Sequence, residues 1–233
     1  LVVRSSVDME QFGGIFGLDR DDAGWFGEIL VADPGLMGPV ESCRGLRMIR
    51  QDNPVEVLFS FLCSANNHVR RIEVMVRHLA GYGHDGGFPD LATLARIEAV
   101  DLRRAGFGYR AERVPACAQK VLEFGGLSWL EGLKGRNAET AILELQRLPG
   151  VGPKVAECVA LFGLGHLGVV PVDTHIWNAV RRRYLPDLDG SLTLARRRLV
   201  GDVMRDRFGS EAGFAHLVLF VDEMQNWRSR RRS

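Results

Sequence analysis

The sequence predicts an all-α fold of two helical lobes, and three observations carry that prediction. Apolar residues recur at helical spacing in nearly every segment. The only β-like stretch of note, Val169-Val170-Pro171-Val172, contains a proline, which argues against a central strand. A glycine hairpin, Leu148-Pro149-Gly150-Val151-Gly152-Pro153-Lys154, joins two apolar-striped helices in mid-chain.

The elements follow in order. Asn53 can cap a helix with Pro54 at its first position, and Val55, Leu58, Phe59 and Leu62 follow at helical spacing. A second helix carries Val69, Ile72, Val76 and Leu79, and Gly81 closes it. Glycine-rich punctuation from Gly81 to Gly87 leads to a short helix from about Asp90. Arg103 to Tyr109 reads as a loop opening a helix that holds Val114, Ala118, Val121 and Leu122. Ala141, Ile142, Leu145 and Leu148 mark the helix before the hairpin. Pro149 stops it, and Gly150 and Gly152 permit backbone angles and close approaches that a side chain would forbid. Val155, Cys158, Val159 and Phe162 resume helical spacing. Gly163 to Gly168 then connects to a helix capped by Asp173, with Ile176, Trp177 and Val180 on one face. Two further helices start near Ser191 and Glu211. Residues 54–168 are expected to form one lobe, and residues 1–53 with 169–233 the other. Lys154 would end the first and Asp173 open the second, placing an active site in the cleft between them.

The hairpin suggests chemistry. A turn of this kind points unpaired N–H groups of a helix start outward, which suits a phosphate. Lys154 stands one residue into the second helix, and Asp173 follows 19 residues later in Val170-Pro171-Val172-Asp173-Thr174-His175. Only Lys120, Lys134 and Lys154 are lysines among the 30 basic residues; the other 27 are arginines. An amine at the hairpin is therefore a choice of chemistry, because lysine can be deprotonated and form a Schiff base whereas arginine cannot. The plain alternative is a compact turn with an exposed lysine, since short glycine motifs are weak signals on their own.

Composition limits the other classes. With 46% hydrophobic residues the chain can bury a sizeable core, and it has no run of about 18 apolar residues that would cross a membrane. It opens on Leu1-Val2-Val3-Arg4 with neither methionine nor a signal-peptide pattern, which suits a piece of a longer intracellular protein. Cys43, Cys63, Cys117 and Cys158 are widely spaced and read as reduced thiols; the six histidines show no metal-ligand spacing. No catalytic metal is expected. Net charge is only +1, yet base clusters at Arg70-Arg71, Arg103-Arg104, Arg110, Arg113, Arg181 to Arg183, Arg196 to Arg198 and Arg228 to Arg232. Acid gathers early, at Asp19, Asp21, Asp22, Glu28 and Asp33. One basic run is usually a solvated helix face, but their recurrence is compatible with DNA.

The hairpin string, continued as Val155-Ala156-Glu157-Cys158 and followed by the segment around Asp173, resembles the helix–hairpin–helix DNA glycosylases. Three more segments resemble their 8-oxoguanine branch: Leu58-Phe59-Ser60-Phe61-Leu62-Cys63-Ser64-Ala65-Asn66-Asn67, Gly106-Phe107-Gly108-Tyr109-Arg110-Ala111 and Val218-Leu219-Phe220. The resemblance covers about residues 40 to 225 and implies a bifunctional DNA glycosylase/AP lyase acting as a monomer on damaged double-stranded DNA. Lys154 would be the nucleophile and Asp173 its assisting acid. Asn66, Arg71 and Arg110 would read the base opposite the lesion, and Tyr109 would be the wedge that fills the vacancy. Cys158, His216 and Phe220 would line the lesion pocket. Gly150, Gly152 and His175 would contact phosphate. No cofactor is required by the resemblance, although the carbonyls of Gln146, Leu148 and Val151 match a structural monovalent-cation site. Such a protein would work in the nucleoid of a bacterium or the nucleus of a eukaryote.

Two departures bear on the lesion. Eukaryotic relatives carry an N-terminal sheet domain that contacts oxidised guanine, whereas Leu1 to Gly45 looks like the helical segment that follows it. His216 stands where those relatives have a glutamine, and His68 where they have a third asparagine. The rival readings are an alkylated-purine glycosylase using Asp173 and water, and a non-catalytic DNA-binding module. Plain readings also stand for individual residues: Cys158 and Phe220 as core, Arg71 and Arg110 as surface cations, Asp173 as a helix cap only.

Overall fold

The computed structural model describes residues 22–49, 52–84 and 87–230. The described residues within Gln51–His166 form one compact unit; those within Leu1–Arg50 and Leu167–Ser233 form another. Every regular element among them is helical. The first acids of the early cluster and the last arginines of the terminal run lie outside the described residues.

Helix α1 (Asp22–Ala32), a 3-10 turn at Pro34–Leu36 and α2 (Met37–Ser42) come first. The Gln51–His166 unit then begins with α3 (Pro54–Ser64), where the Asn53 side chain accepts from the N–H groups of Val55 (3.1 Å) and Glu56 (3.3 Å). A helix starts most readily where such a side chain satisfies its orphan first-turn donors. The same device opens α4 (Val69–Ala80) through His68, α5 (Leu91–Arg96) through Asp90 and, further on, α9 (Ala138–Leu145) through Asn137. Between them come α6 (Ala99–Arg104), α7 (Arg110–Phe124) and α8 (Leu127–Gly132). Gly125, at φ 118°, ends α7 in a left-handed conformation that suits glycine. Helix α10 (Pro153–Phe162) completes the unit.

The apolar stripes meet in one core that includes Leu58, Phe59, Leu62, Met75, Leu79, Leu94, Leu102, Phe107, Val114, Val121 and Leu145. Two stripe positions depart from the expected faces. Val69 and Leu122 are exposed, because Val69 begins its helix and Leu122 follows the buried Val121 around the turn. The loop expected from Arg103 is shorter, running from Ala105 to Tyr109; Arg103 and Arg104 occupy the last turn of α6, where cations favour the helix dipole. Helices α6 and α8, each six residues long, are too short for periodicity to announce.

In the other unit, α11 (Thr174–Tyr184), α12 (Leu194–Phe208) and α13 (Ala212–Arg230) follow. Thr193, not Ser191, caps α12. The Val169–Val172 stretch is buried but forms no strand. Trp25 and Phe214 pack with ring centroids 4.4 Å apart, and Ile29, Val172, Ile176, Val180, Met204 and Val218 are also buried in this unit. Polar ties fasten the edge of this unit: Tyr184 donates to Asp33 Oδ2 (2.6 Å), Arg183 donates to the Gly35 carbonyl (3.0 Å), and Arg182 pairs with the buried carboxylate of Glu223. Burial, with Asp33 alongside, pushes the Tyr184 phenol well above its ordinary pKa, so it remains a donor. No helix among the described residues is long and apolar enough to cross a membrane.

Removing the Tyr184 hydroxyl leaves Asp33 Oδ2 without that donor and leaves the ring's contact with Arg207 intact. We expect Tyr184→Phe to lower unfolding stability by about 1–2 kcal/mol in chemical denaturation, as for one hydrogen bond to a charged group.

Candidate active site

The hairpin is built by three local devices. The Val151 N–H donates to the Leu148 carbonyl at 3.1 Å, closing the turn. Gly150 takes φ 85°, and a Cβ there would lie 2.8 Å from Arg113 Cδ and 2.9 Å from Leu62 Cδ1. Gly152, at φ −89° and ψ 178°, precedes α10, and nothing lies within 4 Å of where its Cβ would be. Thus Gly150 seats the hairpin on α3 and α7, while Gly152 leaves its outer side open. Unlike α3, α5 and α9, helix α10 has no side-chain cap. Its first-turn donors and dipole are therefore suited to an incoming anion.

Lys154 is the second residue of α10 and is half-buried. Its ammonium sits 5.4 Å from the centroid of Phe61, which stacks at 5.5 Å on Phe162. Among the described residues no carboxylate pairs with it. An aromatic face attracts the amine less than a carboxylate would and accepts no proton from it. Phe61 and Phe162 stand in the sequence only as motif and stripe positions; packing makes Phe61 the bed for Lys154, with Phe162 stacked on it. Cys158 lies one turn further along α10 and is buried.

Asp173 belongs to the other unit. It caps α11 as its position in the sequence suggested: Oδ1 accepts from the N–H groups of both His175 and Ile176 at 2.9 Å. Both bonds fall on one oxygen, which holds the carboxylate rigidly while Oδ2 takes neither of them. In that unit the rings of His175, Phe220 and His216 come together. His175 meets Phe220 edge-on at 6.1 Å, and His216 lies nearly parallel to Phe220 at 6.3 Å. His216 is buried and Phe220 half-buried on α13.

A second constellation links Ala65–His68 with Ala105–Arg110. Asn66 has φ 55°, a left-handed angle that asparagine tolerates better than most residues. The Ala65 carbonyl accepts from the Tyr109 hydroxyl (3.0 Å) and from Arg110, which also reaches the Asn66 carbonyl (3.2 Å). Arg71 donates to the Gly106 carbonyl at 2.6 Å. Asn66, Arg71, Tyr109 and Arg110 are therefore gathered at one place. Arg110 is not the surface cation of the plain reading: it is the first residue of α7 and only 3% exposed. Tyr109 is half-exposed, with the guanidinium carbons of Arg110 and Arg113 4.3 and 4.5 Å from its ring centroid. Burial pushes the neighbouring Cys63 thiol up to about 12, against the opposing pull of Arg110, so Cys63 stays a neutral thiol.

A family model described as "HhH-GPD superfamily base excision DNA repair protein" matches residues 59–199, and the chain belongs to that superfamily. It is 39% identical over 204 residues to the N-glycosylase/DNA lyase OGG1 of Arabidopsis thaliana, covering 82% of this chain and 56% of that protein. The N-glycosylase/DNA lyase of Saccharomyces cerevisiae is 32% identical over 219 residues, with coverages of 78% and 58%. The chain thus spans little more than half the length of these two relatives. The fold matches a crystal structure of Clostridium acetobutylicum 8-oxoguanine glycosylase/lyase in complex with dsDNA containing cytosine opposite 8-oxoG. There the TM-score is 0.80 and the identity 29%, covering 94% of this chain and 77% of that one.

The two hairpin glycines should respond differently to the same change. Gly150→Ala should cost about 1–3 kcal/mol of stability, from left-handed strain and overpacking. Gly152→Ala should fold within roughly 1 kcal/mol of the wild type but weaken duplex DNA binding. Thermal unfolding and a binding titration on both variants check this.

Proposed function

We propose that the protein is a bifunctional DNA glycosylase/AP lyase that flips an oxidised purine from duplex DNA and excises it, with 8-oxoguanine opposite cytosine as substrate. The observation that carries the reading is the amine of Lys154, held on an aromatic bed at the uncapped start of α10. A binding module needs the helix start but not the amine.

In this mechanism the phosphate beside the lesion is bound by the hairpin N–H groups at Gly150 and Gly152, with His175 as a further contact. The flipped base is recognised through Cys158, His216 and Phe220, and Tyr109 fills the vacancy left in the stack. Unprotonated Lys154 then attacks the anomeric carbon. The glycosidic bond breaks, its electron pair leaves with the base, and the base takes up a proton while the amine loses one. The carboxylate of Asp173 stabilises the positive charge that develops on the sugar. The sugar ring then opens to a Schiff base, which makes the adjacent C2′ proton acidic. Loss of that proton expels the 3′ phosphate by β-elimination. Asn66, Arg71 and Arg110 read the opposite base, and the carbonyls of Gln146, Leu148 and Val151 would hold a monovalent cation, whose charge would support the hairpin against phosphate. The partner is damaged duplex DNA, so the protein acts in the nucleoid or the nucleus.

Two substitutions separate the roles. Lys154→Gln should abolish borohydride trapping on lesion DNA while duplex binding survives; undiminished trapping would overturn the assignment. Asp173→Asn retains an oxygen able to accept from His175 and Ile176, so it should fold normally yet slow excision at least tenfold, for more than about 1.4 kcal/mol of lost charge stabilisation.

His216→Ala should reduce 8-oxoguanine excision much more than strand cleavage at a pre-formed abasic site, which has no base to read. Equal losses on the two substrates would assign His216 to packing. Single-turnover assays on the two duplexes provide the comparison.

A further inference from the structure

Arg113 joins the hairpin to the cluster around Tyr109, within the Gln51–His166 unit. It lies on α7 four residues after Tyr109, so the two side chains are neighbours along one side of the helix. Its stem packs on the hairpin: a Cβ at Gly150 would stand 2.8 Å from Arg113 Cδ and 3.3 Å from Arg113 Cβ. Its guanidinium carbon lies 4.5 Å from the centroid of the Tyr109 ring.

The guanidinium has no polar task within the protein. Among the described residues it makes neither a hydrogen bond nor an ion pair. Glu112, the carboxylate next to it in sequence, is taken by Arg103 at 2.9 Å. Ordering an exposed arginine costs side-chain entropy, and here the stem on Gly150 and the planar fork against a ring offset that cost.

Tyr109 has two other holds in the free protein. Its hydroxyl donates to the Ala65 carbonyl at 3.0 Å, and the Arg110 guanidinium carbon lies 4.3 Å from its ring centroid. In the proposed mechanism both are surrendered: Arg110 turns to the opposite base, and a hydroxyl entering the base stack gives up the carbonyl. Arg113 has no such second role, and its stem stays on the hairpin.

We propose that Arg113 is a positioning residue: its stem bears on Gly150 and its guanidinium backs the Tyr109 ring, so that the phosphate-binding hairpin steadies the wedge. This rests on the reading of Tyr109 as the wedge. The contacts of Arg113 with Gly150 and Tyr109 are independent of that reading.

The test compares Arg113→Met and Arg113→Gln, which keep a stem and lose the charged fork, with Arg113→Ala, which loses both. Tyr109→Ala, alone and combined with Arg113→Met, completes a double-mutant cycle. The main readout is the rate of fluorescence rise of 2-aminopurine placed beside 8-oxoguanine in a duplex, which reports opening of the stack. Arg113→Met and Arg113→Gln should each slow the rise about threefold, the size of an exposed cation–π contact. Once Tyr109 is alanine, Arg113→Met should slow it no further. The Tyr109 ring signals in NMR of the DNA-free protein should shift in both variants. Arg113→Ala should also unfold at a lower temperature than Arg113→Met, although alanine is the better helix former.

Equal slowing by Arg113→Met with and without the Tyr109 ring makes Arg113 a direct DNA contact and overturns the proposal. Unchanged Tyr109 signals overturn it too, as do equal unfolding temperatures for Arg113→Ala and Arg113→Met. If Tyr109→Ala slows the rise while Arg113→Met and Arg113→Gln do not, the wedge stands and the role of Arg113 falls. Tyr109→Ala without effect overturns the wedge reading itself, and the proposal with it.

Discussion

Position 150 sets a constraint on the hairpin that no other residue type meets. Its φ of 85° turns the chain from α9 into α10, and the space a Cβ would need is taken by Arg113 on α7 and Leu62 on α3. A side chain there would impose left-handed strain of about 1–2 kcal/mol and a collision on two sides. Because it is absent, the turn lies directly on the core of the Gln51–His166 unit. The start of α10 inherits that rigidity. Lys154 and the uncapped N–H groups are then fixed relative to α3, whose Phe61 supports the amine.

The reactive groups are handled by a shared physical logic. An amine paired with a carboxylate would be held protonated and occupied. Lys154, the proposed nucleophile, instead rests against an aromatic face. In the proposed mechanism Asp173 acts through its charge, and two backbone N–H groups bonded to one of its oxygens hold the carboxylate in place. The cap and the proposed electrostatic role therefore support each other. Cys63 shows the opposite treatment: burial pushes its thiol up to about 12 and keeps it neutral.

The residues proposed to read DNA are ordered against the protein's own backbone. Tyr109 and Arg110 converge on the Ala65 carbonyl, Arg110 extends to Asn66, and Arg71 holds Gly106. Reading an opposite base through these side chains would exchange such bonds for bonds to DNA. Arg110 is almost fully buried, so its bonds to Ala65 and Asn66 are the ones most shielded from solvent.

Much of this was written in local sequence. A capping side chain and the N–H groups it satisfies lie within three residues, so Asn53, Asp90 and Asp173 could be read directly, as could the glycine turn at 150–152. The apolar stripes of the longer helices were legible for the same reason. The six-residue helices α6 and α8 were not, because fewer than two turns leave no period to detect. Tertiary structure alone decided what surrounds the groups proposed to react and to read DNA. Phe61 beneath Lys154, Ala65 and Asn66 around Arg110, and Gly106 beside Arg71 all come from distant parts of the chain, at separations of 44 and 45 residues for the Arg110 bonds and 35 for that of Arg71. Residue type states what a side chain can donate or accept, but a partner so far along the chain is fixed only when the helices pack.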